Sequence, residues 1–244
     1  MTNCFIGTTG FFSLKGSEFE YPKDIKKDKY LQYYSENLNA VEIHSSFYKT
    51  PNIQTLRSWY QQTPSNFKFF LKIPKKITHS LKLKDTYNLI NEFSDFIYNE
   101  LKEKLAGFLF QLPPSFYNND DNLQLISKNI KNDYQNILEF RNSSWWQDDK
   151  ILNKLKRKKL IMAGLSIPGN IPDVVINNNS KSIYYKLYGV PDKFDSKYYN
   201  NFLDELANDI SALKKTAYIF FANTNGIGAI DNALYLRNKN NGLK

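Results

Sequence analysis

Residues 40–73 read AVEIHSSFYKTPNIQTLRSWYQQTPSNFKFFLKI, and the fold follows from the pattern in this stretch. From Ala40 to His44, apolar Val41 and Ile43 alternate with polar Glu42 and His44, the period of a β-strand. Pro51 and Pro64 punctuate a helical stretch over Ile53–Gln62. Lys68–Ile73 then returns to an aromatic, β-branched run suited to a second strand. A strand–helix–strand unit joins parallel strands, because antiparallel neighbours need only a hairpin.

The same alternation continues outward in both directions. Upstream lie a strand at Phe5–Gly7 and a helical pattern over Lys29–Asn37, marked by Tyr30, Tyr33, Tyr34 and Leu38. Downstream come a helix over Thr86–Lys102 and a strand at Gly107–Leu112, closed by Pro113-Pro114. A helix over Asn122–Asn129, a strand at Asn136–Arg141, a helix over Asp149–Lys158 and a strand at Leu160–Ala163 follow. Gly164–Lys181 is the least regular segment. Beyond it the pattern gives a strand at Ser182–Leu187, a helix over Tyr198–Leu213, a strand at Ala217–Phe221 and a helix over Ala229–Arg237. Eight strands in 244 residues, with a helix after nearly every one and no linker, predict a single (β/α)8 TIM-type barrel spanning 1–244. An open doubly wound sheet fits less well, since no G-x-G-x-x-G follows the first strand.

Composition narrows the setting. A single cysteine, Cys4, excludes an intrachain disulfide framework and suits a reducing compartment. The opening Met1-Thr2-Asn3-Cys4-Phe5-Ile6-Gly7 has no basic stretch and no long apolar run, so no signal peptide is expected, and no run reaches membrane-spanning length. The expectation is a cytoplasmic protein. The net charge of +9 raises nucleic acid as a partner. Of the 33 basic residues, however, 29 are Lys and four are Arg, whereas base and phosphate recognition favours the guanidinium fork. The densest run, Lys154–Lys159, ends a helix, where cations complement the dipole. The excess charge therefore reads mainly as a solvated surface.

In such a barrel, function sits at the C-terminal strand ends. Strand parity decides which side chains point there. Val41 and Ile43 oppose Glu42 and His44; Leu138 and Phe140 oppose Glu139 and Arg141. Phe70 and Lys72 oppose Phe69, Leu71 and Ile73, while Tyr184, Lys186 and Tyr188 oppose Tyr185 and Leu187. The apolar faces must meet the helices, so Glu42, Lys72, Glu139, Arg141 and Lys186 converge on the barrel mouth. Gln111 and Asn223 join them, with His44 and His79 at or just after their strands. Buried ion pairs add little stability over apolar packing, so five converging charges argue for a ligand site. Thr8, within the turn Gly7-Thr8-Thr9-Gly10, offers a hydroxyl and backbone donors to an anion, although an ordinary tight turn reads the same way. Tyr48, beside Phe47, and the pair Trp145-Trp146 either stack on a ligand or anchor the rim.

These blocks also fall into a family pattern. The segments Ile6–Phe11, Val41–Tyr48, Phe69–Pro74 with Ile77–His79, Leu109–Phe116, Leu138–Arg141 with Ser144-Trp145, and Asn232–Leu234 with Leu236-Arg237 resemble, in order, the YecE-like family, domain-of-unknown-function family 72. The resemblance implies a TIM-type barrel and supplies no reaction. The chain departs from the family pattern in three places. Lys186 and Tyr188 stand before Gly189 where relatives carry Arg and His; Phe221-Ala222-Asn223 stands for Phe-Asn-Asn; His44 replaces a common Asn. Loss of the strand-seven His removes one proton carrier.

Three functions compete. One is an enzyme, such as a hydrolase, lyase or isomerase, acting on a small anionic or sugar-like molecule. In it Glu42 and Glu139 form the acid/base pair, and Lys72, Arg141 and Lys186 hold a phosphate or carboxylate. The second is an endonuclease-like phosphodiester enzyme, by fold analogy alone. The third is a non-catalytic nucleic-acid-binding module. With two histidines in the chain, no cofactor and no stoichiometric zinc are expected, although Glu42, His44 and Glu139 offer ligands for one metal. Oligomeric state is not encoded in any pattern here. If the site is open to water, Glu42→Gln and Glu139→Gln should leave the melting temperature almost unchanged.

The charge distribution itself predicts weak, sequence-independent DNA binding that collapses with salt, because counterion release dominates such contacts. Fluorescence anisotropy should show affinity falling steeply as salt rises; tight binding retained at high salt would restore nucleic acid as the partner.

Overall fold

The computed structural model describes residues 3–131, 133–178 and 181–242; the sequence readings that touch Met1, Thr2 and residues 179–180 lie outside it. Nine strands, all paired in parallel, form one sheet. They are β1 (Cys4–Thr9), β2 (Ala40–Ile43), β3 (Lys68–Lys72), β4 (Leu105–Leu112), β5 (Asn136–Phe140), β6 (Ile161–Met162), β7 (Gly164–Ser166), β8 (Ser182–Leu187) and β9 (Thr216–Phe221). Seven α-helices connect them among the described residues: α1 (Tyr30–Asn37), α2 (Ile53–Gln62), α3 (Tyr87–Leu101), α4 (Asp120–Asn129), α5 (Asp149–Arg157), α6 (Asn200–Leu213) and α7 (Gly228–Gly242).

The sheet order is β6-β5-β4-β3-β2-β1-β9-β8-β7, and its two ends are consecutive in the chain. β6 pairs with β5 and β7 pairs with β8, with only Ala163 between them. β6 and β7 are therefore one stave that changes partner midway, which makes nine strands out of the eight expected and closes a TIM-type barrel. The expected strand end at Ala163 is corrected to Ser166. Gly164 and Ser166 look like turn residues, but the returning chain crosses this stave, where Leu165 bridges Val174. A Cβ on Gly164 would lie 2.5 Å from the Val174 carbonyl oxygen, so glycine is required by the crossing. Asn178 substitutes for a neighbouring strand at the start of the stave. Its Oδ1 accepts from Met162 N, and its Nδ2 donates to Leu160 O.

Parity holds along the staves. Val41, Ile43, Phe69, Leu71, Leu138, Phe140, Tyr185 and Leu187 pack outward against the helices. Ala40, Phe70, Leu109, Ile137, Tyr184 and Phe220 face inward. The Phe70 ring meets Tyr184, Tyr218 and Phe220 edge to face, with centroids 5.3, 4.9 and 5.6 Å away. This aromatic plug fills the barrel axis, so anything polar placed above it has a dry floor. Asparagines tie the ends of elements: Asn52 and Asn119 accept from backbone N–H groups in the first turns of α2 and α4.

No helix of the described residues is long and apolar enough to cross a membrane.

The approach of β1 to β2 leaves no room at Gly7, whose Cβ would collide with the Ala40 carbonyl oxygen. The Tyr34 hydroxyl donates to that same oxygen at 2.8 Å. Gly7→Ala should therefore lower stability by roughly 1–3 kcal/mol or more; denaturant unfolding with an unchanged midpoint would show that the two strands separate freely.

Candidate functional site

Above the plug, the last inward residues of β2, β3, β5 and β8 form a charged layer. Glu42, Glu139 and Lys186 are at most 1% exposed, and Lys72 is 2% exposed. Lys186 Nζ donates to Glu42 Oε1 at 2.6 Å and lies 3.5 Å from Glu139 Oε2. The second contact serves as Coulomb attraction only; Glu139 Oε2 has no hydrogen-bond donor among the described residues. Arg141, just beyond β5, reaches back so that Nε and Nη2 each lie 2.6 Å from Glu139 Oε1. Two phenols complete the layer: Tyr184 donates to Glu42 Oε2, and Tyr188 donates to Glu139 Oε1 at 2.8 Å.

Burial alone would raise the Glu139 carboxyl, but Arg141, Lys186 and Lys72, with the Tyr188 hydrogen bond, outweigh it and hold the group at about 2. Lys186 is likewise penalised by burial and is nonetheless held above its ordinary range by Glu42 and Glu139. Lys72 has no such protection. Its Nζ donates to the neutral Gln111 Oε1 at 2.8 Å and sits 3.8 Å over the Phe47 ring. Among the described residues no carboxylate lies within ion-pairing distance of it. Burial, then repulsion from Lys186, lowers its pKa to about 7. Burial and Lys72 also push His44 and His79 to about 4, so both imidazoles are neutral near pH 7.

Over this layer opens a chamber of about 1000 Å³. Its walls include His44, Tyr48, Lys72, His79, Gln111, Arg141 and Lys186, all expected from parity or loop position. Glu42 and Glu139 lie beneath the floor, where their partners cover them. Thr8 and Asn223, expected among the ligand residues, stand outside the wall, and the reason is again parity. Thr8 pairs with outward Val41 and Phe221, and its hydroxyl lies 3.1 Å from the Tyr34 oxygen; Thr9 is the wall residue. Asn223 donates to Ser196 O and Asn232 Oδ1 behind the wall, while Ala222, Thr224 and Asn225 face the chamber. The expected Gly/Thr turn is instead the end of β1, since Gly7, Thr8 and Thr9 all pair in the sheet. Its amides are already used, Thr8 N by the Tyr34 hydroxyl and Gly10 N by Glu42 O.

Trp145 is a rim anchor, stacked between Phe140 and Phe116 with its Nε1 donating to Phe116 O. Tyr184 and Tyr188 share the face of Lys186 in the sequence pattern, yet nothing in that pattern marks them as partners of Glu42 and Glu139. Lys75 and Lys193 reach the chamber from loops, where periodicity gives no signal. As for metal, both Glu42 oxygens and Glu139 Oε1 are taken up by Lys186, Arg141 and the tyrosines. No group of three His, Cys, Asp or Glu ligands occurs among the described residues.

Comparison with known proteins places this geometry in a family. The model of the family described as protein of unknown function DUF72 matches residues 5–243. UPF0759 protein YecE of Escherichia coli K12 is 29% identical over 86 residues, a match covering 35% of this chain and 31% of that protein. A solved DUF72 family protein from Thermotoga maritima superposes with a TM-score of 0.84 at 25% identity, covering 97% of this chain and 98% of the other. One from Enterococcus faecalis gives 0.80 at 22% identity, over 99% and 98% of the two chains, and shares the fold.

Burial reverses the expectation that the carboxylates are dispensable for stability. Glu42→Gln leaves Lys186 without its nearest counter-charge in a dry layer, which costs about 3–5 kcal/mol. Its melting temperature should fall by roughly 10 °C. Because Glu139 binds its proton less readily folded than unfolded, its contribution is complete above pH ~4.5 and fades as pH falls toward 2. Thermal scans should show the wild type losing stability through that window and Glu139→Gln losing less; identical pH profiles would dissociate Glu139 from the effect.

Proposed function

The chain belongs to the DUF72 family, and from the site it carries we propose that it binds a small anionic, sugar-like molecule at the C-terminal end of the barrel. One observation carries this reading. The chamber walls bear five cations, Lys72, Lys75, Arg141, Lys186 and Lys193, and among the described residues no carboxylate. Such a chamber concentrates a phosphate or carboxylate and disfavours a cation. Gln111, Asn142, Ser143, Thr9 and Asn225 supply neutral donors and acceptors suited to hydroxyl groups.

Roles divide by depth. Lys72 is a buried wall cation that no carboxylate pairs among the described residues, so an incoming anion completes its pairing. Arg141 presents what remains of its fork after engaging Glu139 and lies over the Tyr188 ring, its Cζ 4.4 Å from the ring centre. Glu42 and Glu139 act here as the fixed counter-charges that hold Lys186 and Arg141 in place. The acid/base role expected of Glu139 does not suit its surroundings, since a carboxyl held at about 2 is a poor proton acceptor near neutral pH, and both oxygens of Glu42 are already engaged by Lys186 and Tyr184. Tyr48, 73% exposed at the rim, offers a face on which a sugar ring can stack.

Calorimetric titration with sulfate and with a sugar phosphate tests the reading. Both should bind, and Lys72→Met should weaken binding about tenfold or more, as expected for one charge-assisted hydrogen bond. Sulfate does not titrate near neutrality, so its affinity should fall as pH rises above about 7, where free Lys72 loses its proton. An unpaired buried ammonium also strains the fold. Unfolded Lys72 binds its proton up to about 10.5, so the penalty is full below pH ~7 and relieved as pH rises. Lys72→Met should therefore melt no lower than wild type at pH 6. Absence of saturable binding by either anion would remove the anion reading.

A further inference from the structure

We propose that Lys72 is a nucleophile as well as an anion contact, and that it forms a Schiff base with a small carbonyl compound bearing a carboxylate or phosphate. This deepens the anion reading and rests on it for the charged half of the ligand. The carbonyl half is argued from the position of Nζ.

Three features of that position suit an amine that reacts. Lys72 ends a strand, so its Cα is fixed by pairing with Leu109 of β4, and its backbone carbonyl accepts from the Ser46 hydroxyl at 2.7 Å. Its Nζ is oriented by Gln111, a neutral acceptor, where a carboxylate would fix the proton on nitrogen. The other lysine of the charged layer, Lys186, is already committed to Glu42 and Glu139, so it repels a second ammonium without competing as an amine. The lowered pKa of Lys72 is the expected consequence, leaving a substantial neutral fraction near pH 7.

The chemistry balances with groups in the chamber. The Nζ lone pair attacks the carbonyl carbon, and the C=O π electrons move onto oxygen, whose developing charge faces Arg141 and Lys186. One proton leaves nitrogen for a neutral imidazole on the same wall, His44 or His79, and is handed to the carbinolamine oxygen. That oxygen departs as water, carrying a second proton from nitrogen, as the C=N bond forms. His79 is set for such a relay, with its Nδ1 lying 2.9 Å from the Thr78 hydroxyl and its other nitrogen left for the exchange. No redox partner is needed.

Glyoxylate, the smallest aldehyde acid, is the probe, with cyanoborohydride to reduce the imine and peptide mapping to locate it. At pH 7, Lys72 should be labelled roughly two orders of magnitude faster than surface lysines, given its larger neutral fraction. Its rate should level off above pH ~7, whereas surface labelling keeps rising toward 10.5. Lys72→Arg keeps the charge and removes the nucleophile. It should retain sulfate binding and lose the fast label, while Lys72→Met loses the label and weakens sulfate binding about tenfold or more. Labelling of Lys72 at the surface rate, or only at alkaline pH, overturns the proposal even if sulfate binds. Fast labelling without sulfate binding would instead preserve the amine chemistry and defeat the anion reading.

Discussion

Lys186 Nζ lies 2.6 Å from Glu42 Oε1 and 3.5 Å from Glu139 Oε2 with all three side chains closed off from solvent, and the rest of the barrel's C-terminal end is arranged around that bridge. The three residues come from β2, β5 and β8, so the bridge ties together staves that are not neighbours in the sheet. Below it, the rings of Phe70, Tyr184, Tyr218 and Phe220 exclude water, which strengthens each attraction and makes each unpaired charge costly. Tyr184 and Tyr188 use the hydrogen-bonding capacity that the cations leave over. The layer is stable because nearly every polar atom in it has a partner.

Lys72 differs in that its partner is a neutral amide and not a carboxylate, and its value lies in that. A methionine of similar length would pack against Phe47 without any desolvation penalty. The chain instead keeps an ammonium whose nearest acceptor is a neutral amide. Sites that bind or react often hold a group in a state the fold by itself disfavours, with the ligand supplying what is missing. The same surroundings, Lys186 behind and burial all round, serve both proposed roles: a site wanting an anion, and an amine that sheds its proton near neutrality. Which state dominates depends on whether an anion or a carbonyl arrives beside it.

The lysine and asparagine bias of the chain is put to structural use. Asn39 ties β1 through Ile6 N and Cys4 O, Asn129 accepts from Thr86 N, and Asn178 pairs the start of the split stave. Each fills a place where strand or helix leaves backbone groups unpaired. Lysine is used likewise at Lys104, whose buried Nζ donates to the Tyr60 and Thr63 carbonyls at the end of α2.

Strand parity was legible in the sequence because it is local. A period of two follows from backbone geometry, and Val41/Ile43 against Glu42/His44 states it without knowledge of any neighbour. The barrel was legible for the same reason, as was the convergence of Glu42, Lys72, Glu139, Arg141 and Lys186 on one end. What only the tertiary structure decided is depth and pairing. Parity directs Glu42 and Lys72 to the same interior, but not that one lies sealed under the floor with two partners while the other meets a chamber without a counter-charge. Thr8 and Thr9 differ by one residue, and the registers with β2 and β9 determine which of them reaches the chamber. The stave that changes partner at Ala163 is likewise invisible along the chain, since Gly164 and Ser166 have turn-like composition and become strand only because β8 lies alongside. Local periodicity fixes direction; distance, burial and partner are set by which distant segments the fold brings together.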